Sequence, residues 1–312
     1  MNIQQFQYIL AVAEFKHFET AAEKCFISQS TLSTMISKFE DELEIKIFDR
    51  SKKPVGLTLE GSIILEQLKI ISKDIEQLQE ITKEIKGEVS GKLNLSVIPT
   101  IAPFLLPLFL QDFAAQFPNF NIVVREETTE EILKKIKSRE IDIGIVSTPL
   151  VDKEILEIKL YDEPFVYYDA LKTSTGKVSI NSNISERICL MEEGHCMRTQ
   201  MLELCNLSKK KVKPILNFEY KAGSIDGLSR FVKSNKLATL LPYLSTLAFN
   251  EEESKYLSAF KKPIPYRTVG LIVNRHFAKK KVLDHLQAKI VEKVSEYLPT
   301  IHLKGQMLSP SE

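Results

Sequence analysis

Two cysteines, Cys196 and Cys205, stand nine positions apart in the stretch EEGHCMRTQMLELC, with His195 and Arg198 crowding the first. A thiol beside a histidine and an arginine at a helix start is placed where backbone N–H dipoles and positive charge favour the reactive thiolate. Glu192 and Glu193 oppose that field. If the segment is helical, nine steps of roughly 100° put the two sulfurs on opposite faces, roughly 13 Å apart along the axis. A disulfide tolerates a Cα separation of at most about 7 Å. Two readings follow: an amphipathic helix with two incidental thiols, or a segment that must unfold when its thiols react. Cys205 shares a face with Met197, Met201 and Leu204, so burial in the reduced state is expected.

The other two cysteines carry less chemistry. Cys189 lies in the apolar run RICLM and Cys25 faces a helix seam, and both read as small inert hydrophobes. The compartment sharpens the choice for the pair. No stretch reaches the ~20 apolar residues of a membrane helix, and MNIQQFQYILAVAEFKHFE lacks a signal peptide's basic start and cleavage site, so a cytoplasmic protein is expected. There, four cysteines in 312 residues are no stapling framework, and a cysteine pair is inert or regulatory. No CxxC occurs and the five histidines are scattered, so neither a metal site nor a cofactor is expected.

The elements that must position these thiols fit a chain of this length and composition, 44% hydrophobic and 27% charged, with room for two or three cores. Lys plus Arg (42) nearly balance Asp plus Glu (41), so any nucleic-acid partner must be read locally. Ile3, Phe6, Ile9, Leu10, Val12 and Ala13 follow helical spacing. A short helix over Thr20 to Cys25, a turn and a second helix over Gln29 to Leu43 come next, with Ser28 as N-cap. Ala21, Ala22, Ile27, Leu32, Ile36, Phe39 and Leu43 form the buried seam. Ser28, Gln29, Ser30, Thr31, Ser33, Thr34 and Lys38 remain polar and outward. This helix-turn-helix pattern can offer side chains to base edges of double-stranded DNA. The following IKIFDRSKKPVGLTL reads as a wing whose Arg50, Lys52 and Lys53 contact phosphates. The plainer reading is a three-helix domain with a solvated loop. Seven Lys/Arg against nine Asp/Glu in residues 1–60 give it some support.

The run from Phe18 through Arg50, with AAEKCFISQSTLS, ELEIKIFDR and the later LTLEG, resembles the N-terminal domain of the LysR-type transcriptional regulators. That likeness implies a winged helix-turn-helix DNA reader over residues 1–58. Ser30 departs from it where the family often has proline. From Thr58 to Lys86, Ile64, Leu68, Ile71, Ile75, Leu78, Thr82 and Ile85 make a heptad seam, read as a linker and dimerisation helix over 59–87. A glycine-bracketed hinge at 88–91 follows. A dimer would present two recognition helices to a two-fold site, and a pairing of dimers into a homotetramer is the larger assembly expected.

From Lys92 onward short β-branched runs, LNLSVI, FNIVVRE, IDIGIVS, EPFVYYDA, RICLM, ILNFEY, LATLLP and TVGLIV, read as strands and alternate with helical stretches, which predicts parallel α/β sheets. The resemblance implies a two-lobed α/β effector domain, similar to periplasmic binding proteins, with lobe I over 92–163 plus 268–302 and lobe II over 164–267. The cleft would collect Thr100 and Thr128 or Thr129; helix capping is the plainer role for each.

GHCMRTQMLELC is similar to the redox segment of the hydrogen-peroxide-sensing branch of the LysR-type family. The likeness extends through SVIPTIAPFLLP, ETTEEIL, EYKAGSIDGLSRFV and YRTVGLIV; NKLATLLP lacks the glycine usual before that strand. By this resemblance Cys196 is the peroxidatic thiolate and Cys205 the resolving thiol. His195 and Arg198 match flanking positions, and Thr100 and Thr129 match positions that orient peroxide. The implied protein is a stoichiometric, disulfide-switched activator of transcription and no turnover enzyme. Two competitors remain: a LysR-type regulator of a small anionic metabolite with incidental cysteines, and a cytosolic thiol peroxidase, which leaves the helix-turn-helix and the heptad helix unexplained.

Overall fold

The computed structural model describes residues 1–86, 90–171, 176–179, 188–192, 194–204, 220–299 and 305–310. Cys205, Glu193, Gly87 and nearly all of the expected strand ILNFEY lie outside the described residues. The chain forms two compact units, residues 1–88 and 89–312.

The first unit begins with α1 (Ile3–Phe15), closed at its start by a reciprocal cap: Gln5 N donates to Asn2 Oδ1 and Asn2 N to Gln5 Oε1. Next come α2 (Phe18–Lys24) and α3 (Gln29–Leu43). Thr31 N donates to Ser28 Oγ at 3.2 Å, which is why α3 starts where it does. Ala21 and Ala22 are buried with Leu32, Ile36 and Phe39 in one core. A short antiparallel pair, β1 (Phe48–Asp49) and β2 (Gly56–Leu57), makes the wing. Glu40 is buried beneath it, accepting from Ile47 N and Phe48 N through Oε1. The unit's last helix is α4 (Leu59–Ile85); its first turns bury Leu65 and Leu68 in the same core. Gly61 explains how they approach so closely, because a Cβ there would overlap the Ile47 carbonyl.

The second unit runs β3 (Gly91–Val97), α5 (Ala102–Gln116), β4 (Phe120–Glu126), α6 (Thr129–Lys137), β5 (Ile143–Thr148) and β6 (Ile155–Asp169). It continues with α7 (Cys196–Leu204), α8 (Ile225–Asn235), β7 (Ala238–Pro242), α9 (Glu251–Ser254), β8 (Leu257–Ala259), β9 (Ile264–Asn274), α10 (Lys280–Ser295) and β10 (Gly305–Met307). Along the sheet the order is β4-β3-β5-β9-β6-β7, with β10 on β9 and β8 on β6.

Alternation predicts parallel strands, and β3 does pair in parallel with β4 and β5. Elsewhere among the described strands only β10 on β9 is parallel: β9 runs antiparallel to both β5 and β6, and β6 antiparallel to β7 and β8. The reason is topological. β5 and β6 leave the first half of the domain in one direction, and β9 returns between them. β6 is also longer than the expected EPFVYYDA segment, beginning at Ile155. RICLM forms isolated bridges, Ile188 with Ala238 and Met191 with Ala222, in place of a strand.

Two hydrophobic clusters fill the two lobes. One gathers Leu95, Phe109, Phe113, Ile145, Leu271, Leu286 and Ile290; the other gathers Phe165, Met197, Met201, Leu228, Leu240 and Leu241. In α10 the buried Val282, Leu286, Ile290 and Val294 recur every fourth residue, each contributing roughly 1.5–3 kcal/mol of apolar burial. β6 belongs to both lobes: it pairs with β9 as far as Pro164 and with β7 from Phe165 onward.

Candidate functional site

Cys196 is the first residue of α7. Its side chain is buried in the first lobe's cluster, whereas Met197, Met201 and Leu204 of the same helix belong to the second. The thiol therefore sits where the lobes meet. Burial pushes its pKa up; the Arg267 guanidinium, a hydrogen bond from the Thr129 hydroxyl and the backbone N–H groups of Met197 and Cys196 pull the other way. The result is a thiol that rests protonated, surrounded by groups that stabilise its anion.

The cation facing Cys196 is Arg267 of β9, which sequence reasoning missed. His195 and Arg198 were expected to supply the positive field, and the side-chain charge that acts on the thiol is that of Arg267. Burial lowers the His195 pKa, against a smaller opposing effect of Glu192, so its ring tends to neutrality. Arg198 Nη1 donates to the Met191 carbonyl at 2.8 Å, tying the first turn of α7 to the preceding bridge. One signal for Arg267 was present: a lone arginine in the apolar run YRTVGLIV must be buried with a partner, since an unpaired buried charge is prohibitively costly.

That partner is Glu163 of β6. Arg267 Nε lies 2.8 Å and Nη2 2.7 Å from Glu163 Oε2, and both side chains are 1% exposed. The free carboxylate oxygen, Oε1, accepts from Leu244 N at 2.8 Å. Beyond the ion pair, Arg267 Nη1 donates to Thr100 Oγ1 at 3.1 Å and Nη2 to the Thr100 carbonyl at 3.0 Å. Because Thr100 Oγ1 accepts from Arg267, its own proton is left to donate to another oxygen. The two neighbouring threonines at the start of α6 divide their tasks. Thr128 is the N-cap, accepting from Glu131 N, and this frees Thr129 for Cys196. The structure thus brings together Cys196, Thr129, Arg267 and Thr100. Cys205 lies outside the described residues, and among these no cluster of metal-ligating side chains occurs.

In the first unit, Ser28, Gln29, Ser30, Thr31, Thr34 and Lys38 are exposed along α3 and its cap. Arg50, expected to meet phosphate, braces the wing against α3. Its Nη1 donates to half-buried Ser33 at 2.9 Å, its Nη2 to Ser37 at 3.1 Å and to Glu40 at 3.3 Å, and it stacks over Phe18. Lys52 and Lys53 are exposed at the wing tip, Lys52 lying 3.3 Å from Asp49.

Comparison with known proteins places these two units. Residues 3–62 match the family model described as bacterial regulatory helix-turn-helix protein, lysR family, and residues 86–292 match the LysR substrate binding domain. The chain is 29% identical over 304 residues to the hydrogen peroxide-inducible genes activator of Pectobacterium carotovorum, covering 96% of this chain and 99% of that protein. It is also 29% identical to the DNA-binding transcriptional dual regulator OxyR of Escherichia coli, covering 87% and 89%. Among solved structures, a full-length OxyR variant from Pseudomonas aeruginosa superposes with a TM-score of 0.71 at 27% identity, covering 93% of this chain and 98% of that one. With a helix-turn-helix head and a two-lobed α/β domain both matched, the chain belongs to the LysR family of transcriptional regulators.

Proposed function

We propose that this chain is a redox-sensing, DNA-binding regulator that reads hydrogen peroxide through reversible disulfide formation between Cys196 and Cys205. The observation that carries the reading is the convergence of Thr129 and Arg267 on a buried thiol at a helix N-terminus, with Thr100 bonded to the same Arg267. The names of its relatives support it. The Cys196 thiolate attacks one peroxide oxygen, the O–O bond breaks, and the departing hydroxide takes a proton to leave as water. Arg267 and the threonine hydroxyls stabilise the charge that develops on the oxygens. Cys196 is then a sulfenic acid, and the Cys205 thiol displaces its hydroxyl as a second water, closing the disulfide.

α7 spans Cys196–Leu204, and Cys205 directly follows it in sequence. Nine helical steps span about 13 Å, more than a disulfide can bridge, so a helix running the full interval from Cys196 to Cys205 would have to unwind before the bond closes. One molecule of peroxide switches one chain; the protein is a sensor and not a turnover enzyme, working in the cytoplasm where the DNA lies. Residues 1–58 read DNA, the 59–87 helix pairs two copies, 88–91 is the hinge, and the lobes span 92–163 with 268–302 and 164–267. Two such dimers form the regulatory tetramer.

The test is exposure of reduced protein to roughly equimolar hydrogen peroxide, followed by intact mass and peptide mapping. Loss of two hydrogens with a Cys196–Cys205 link supports the reading. DNA binding that is identical in the reduced and oxidised forms would sink it.

A further inference from the structure

Along the stripe of α7 that begins at the thiol, Gln200 and Glu203, four and seven residues on from Cys196, are gripped by the segment 305–310. β10 extends the sheet in parallel register with β9, Gly305 opposite Ile264 and Met307 opposite Tyr266. Leu308 N then donates to the Tyr266 carbonyl at 2.9 Å, and the Leu308 side chain, 0% exposed, joins the same cluster as Met197, Met201 and Leu204. Two residues of α7 hold this segment directly. Gln200, 0% exposed, donates from Nε2 to the Leu308 carbonyl and to Ser147 Oγ, each at 3.1 Å. Glu203 Oε2 accepts from Ser309 N at 3.1 Å.

Gln200 Oε1 has no hydrogen-bond partner among the described residues, so the residue is held by its two donor contacts, one to β5 and one to the segment 305–310. If α7 unwinds, the Leu308 carbonyl is left buried without its donor, Ser309 N loses its carboxylate, and Leu308 loses the apolar wall built by Met201 and Leu204. A buried polar group stripped of its partner is costly, and a lone leucine cannot hold a three-residue strand on an edge.

From these contacts we propose that residues 305–310 are a redox-gated latch: they clamp α7 in its helical form and are released when α7 unwinds. This rests on the disulfide reading of Cys196 and Cys205, and it adds a second output, a peptide segment and the β9 edge at Ile264–Tyr266 freed together. It also assigns Gln200, Glu203 and Leu308 a kinetic role. They set how rarely α7 opens, and hence how fast the sulfenic acid is captured.

Hydrogen–deuterium exchange on the full chain, reduced and peroxide-treated, separates the latch from the reading beneath it. In reduced protein the Leu308 and Ser309 amides are slow to exchange, and after disulfide formation, verified by mass, their protection falls at least roughly tenfold, while Cys196→Ser holds its protection under peroxide. A disulfide that forms with protection unchanged overturns the latch and leaves peroxide sensing standing. No disulfide at all overturns the underlying reading. A second arm is independent of oxidation. In reduced protein, Leu308→Ala and Glu203→Ala speed exchange across residues 196–204, Leu308→Ala by roughly tenfold, because opening is governed by the local packing each removes. Exchange of α7 that is the same in both variants as in the parent overturns the latch whatever the thiols do.

Discussion

Arg267 and Glu163 form an ion pair sealed from water at the point where β6 changes partner from β9 to β7. A buried pair adds little net stability by itself, but removing one member strands a charge at a cost of about 3–5 kcal/mol. Glu163→Ala and Arg267→Ala should each lower urea-unfolding stability by about that amount, and the double variant should lose clearly less than the sum. Additive losses would show that the two groups do not act as a unit.

The thiol has a pH signature whose sign follows from its surroundings. Burial raises the Cys196 pKa above its unfolded value, so the protonated form is favoured on folding. Its contribution to stability is complete below the unfolded pKa of about 8.5 and is lost as pH rises through the folded value. Reactivity runs the opposite way: the rate of Cys196 oxidation by peroxide should climb about tenfold per pH unit from 7 up to the folded pKa. A stopped-flow rate flat across that range would mean that ionisation of the thiol does not limit the reaction.

Thr129→Val keeps the shape of the side chain and removes its hydroxyl, which bonds to Cys196. Hydrogen bonds to a charged group are worth about 1.5–3 kcal/mol. Sulfenic-acid formation, followed by a dimedone-type probe, should slow at least about tenfold at neutral pH. Thr128→Val should instead lower stability by about 1 kcal/mol through the lost cap of α6, with little change in oxidation rate.

Gly61 lies against the Ile47 carbonyl. Gly61→Ala forces α4 away from the wing at a cost of about 1–3 kcal/mol, so operator affinity should fall while the thiol reacts with peroxide at its usual rate. Parallel anisotropy titrations and oxidation kinetics would expose any coupling between the two.

Lys52 and Lys53 are the exposed cations of the wing. For each one that touches a phosphate, alanine substitution should reduce the slope of log affinity against log salt by about 0.9. Arg50→Met should weaken DNA binding by a different route. It releases Ser33 and Ser37 of α3 and leaves the salt slope unchanged.

The head was legible because its determinants are local. Ser28 followed by a helical pattern is a cap, and Ala21 and Ala22 at a helix crossing are a seam; both statements concern residues within a few turns of one another. The start of α7 at Cys196 was readable for the same reason, since Gly194 and His195 interrupt the preceding run. What stayed hidden is long-range. Arg267 and Glu163 come from strands that meet only after β9 has returned between β5 and β6, and no periodicity marks that return. The first half of β6 was missed because charged Glu157 and Lys159 break its apolar pattern, although it pairs with β9 on both sides of a bulge between Lys159 and Tyr161. His195 and Arg198 were chosen for their adjacency in sequence, whereas the side-chain charge that acts on Cys196 is that of Arg267, from a distant strand.

The place where β6 exchanges β9 for β7 has a mechanical consequence for the sensor. Glu163 and Arg267 sit at that exchange, and Cys196 beside them, so a disturbance at the thiol acts close to the pivot of the two lobes. A force applied at a pivot has almost no lever arm and turns neither lobe appreciably. α7 supplies the missing length: the eight steps from Cys196 to Leu204 carry the event about 12 Å outward, to Leu204 and the segment that lies against it, where a small chemical step can become a large displacement.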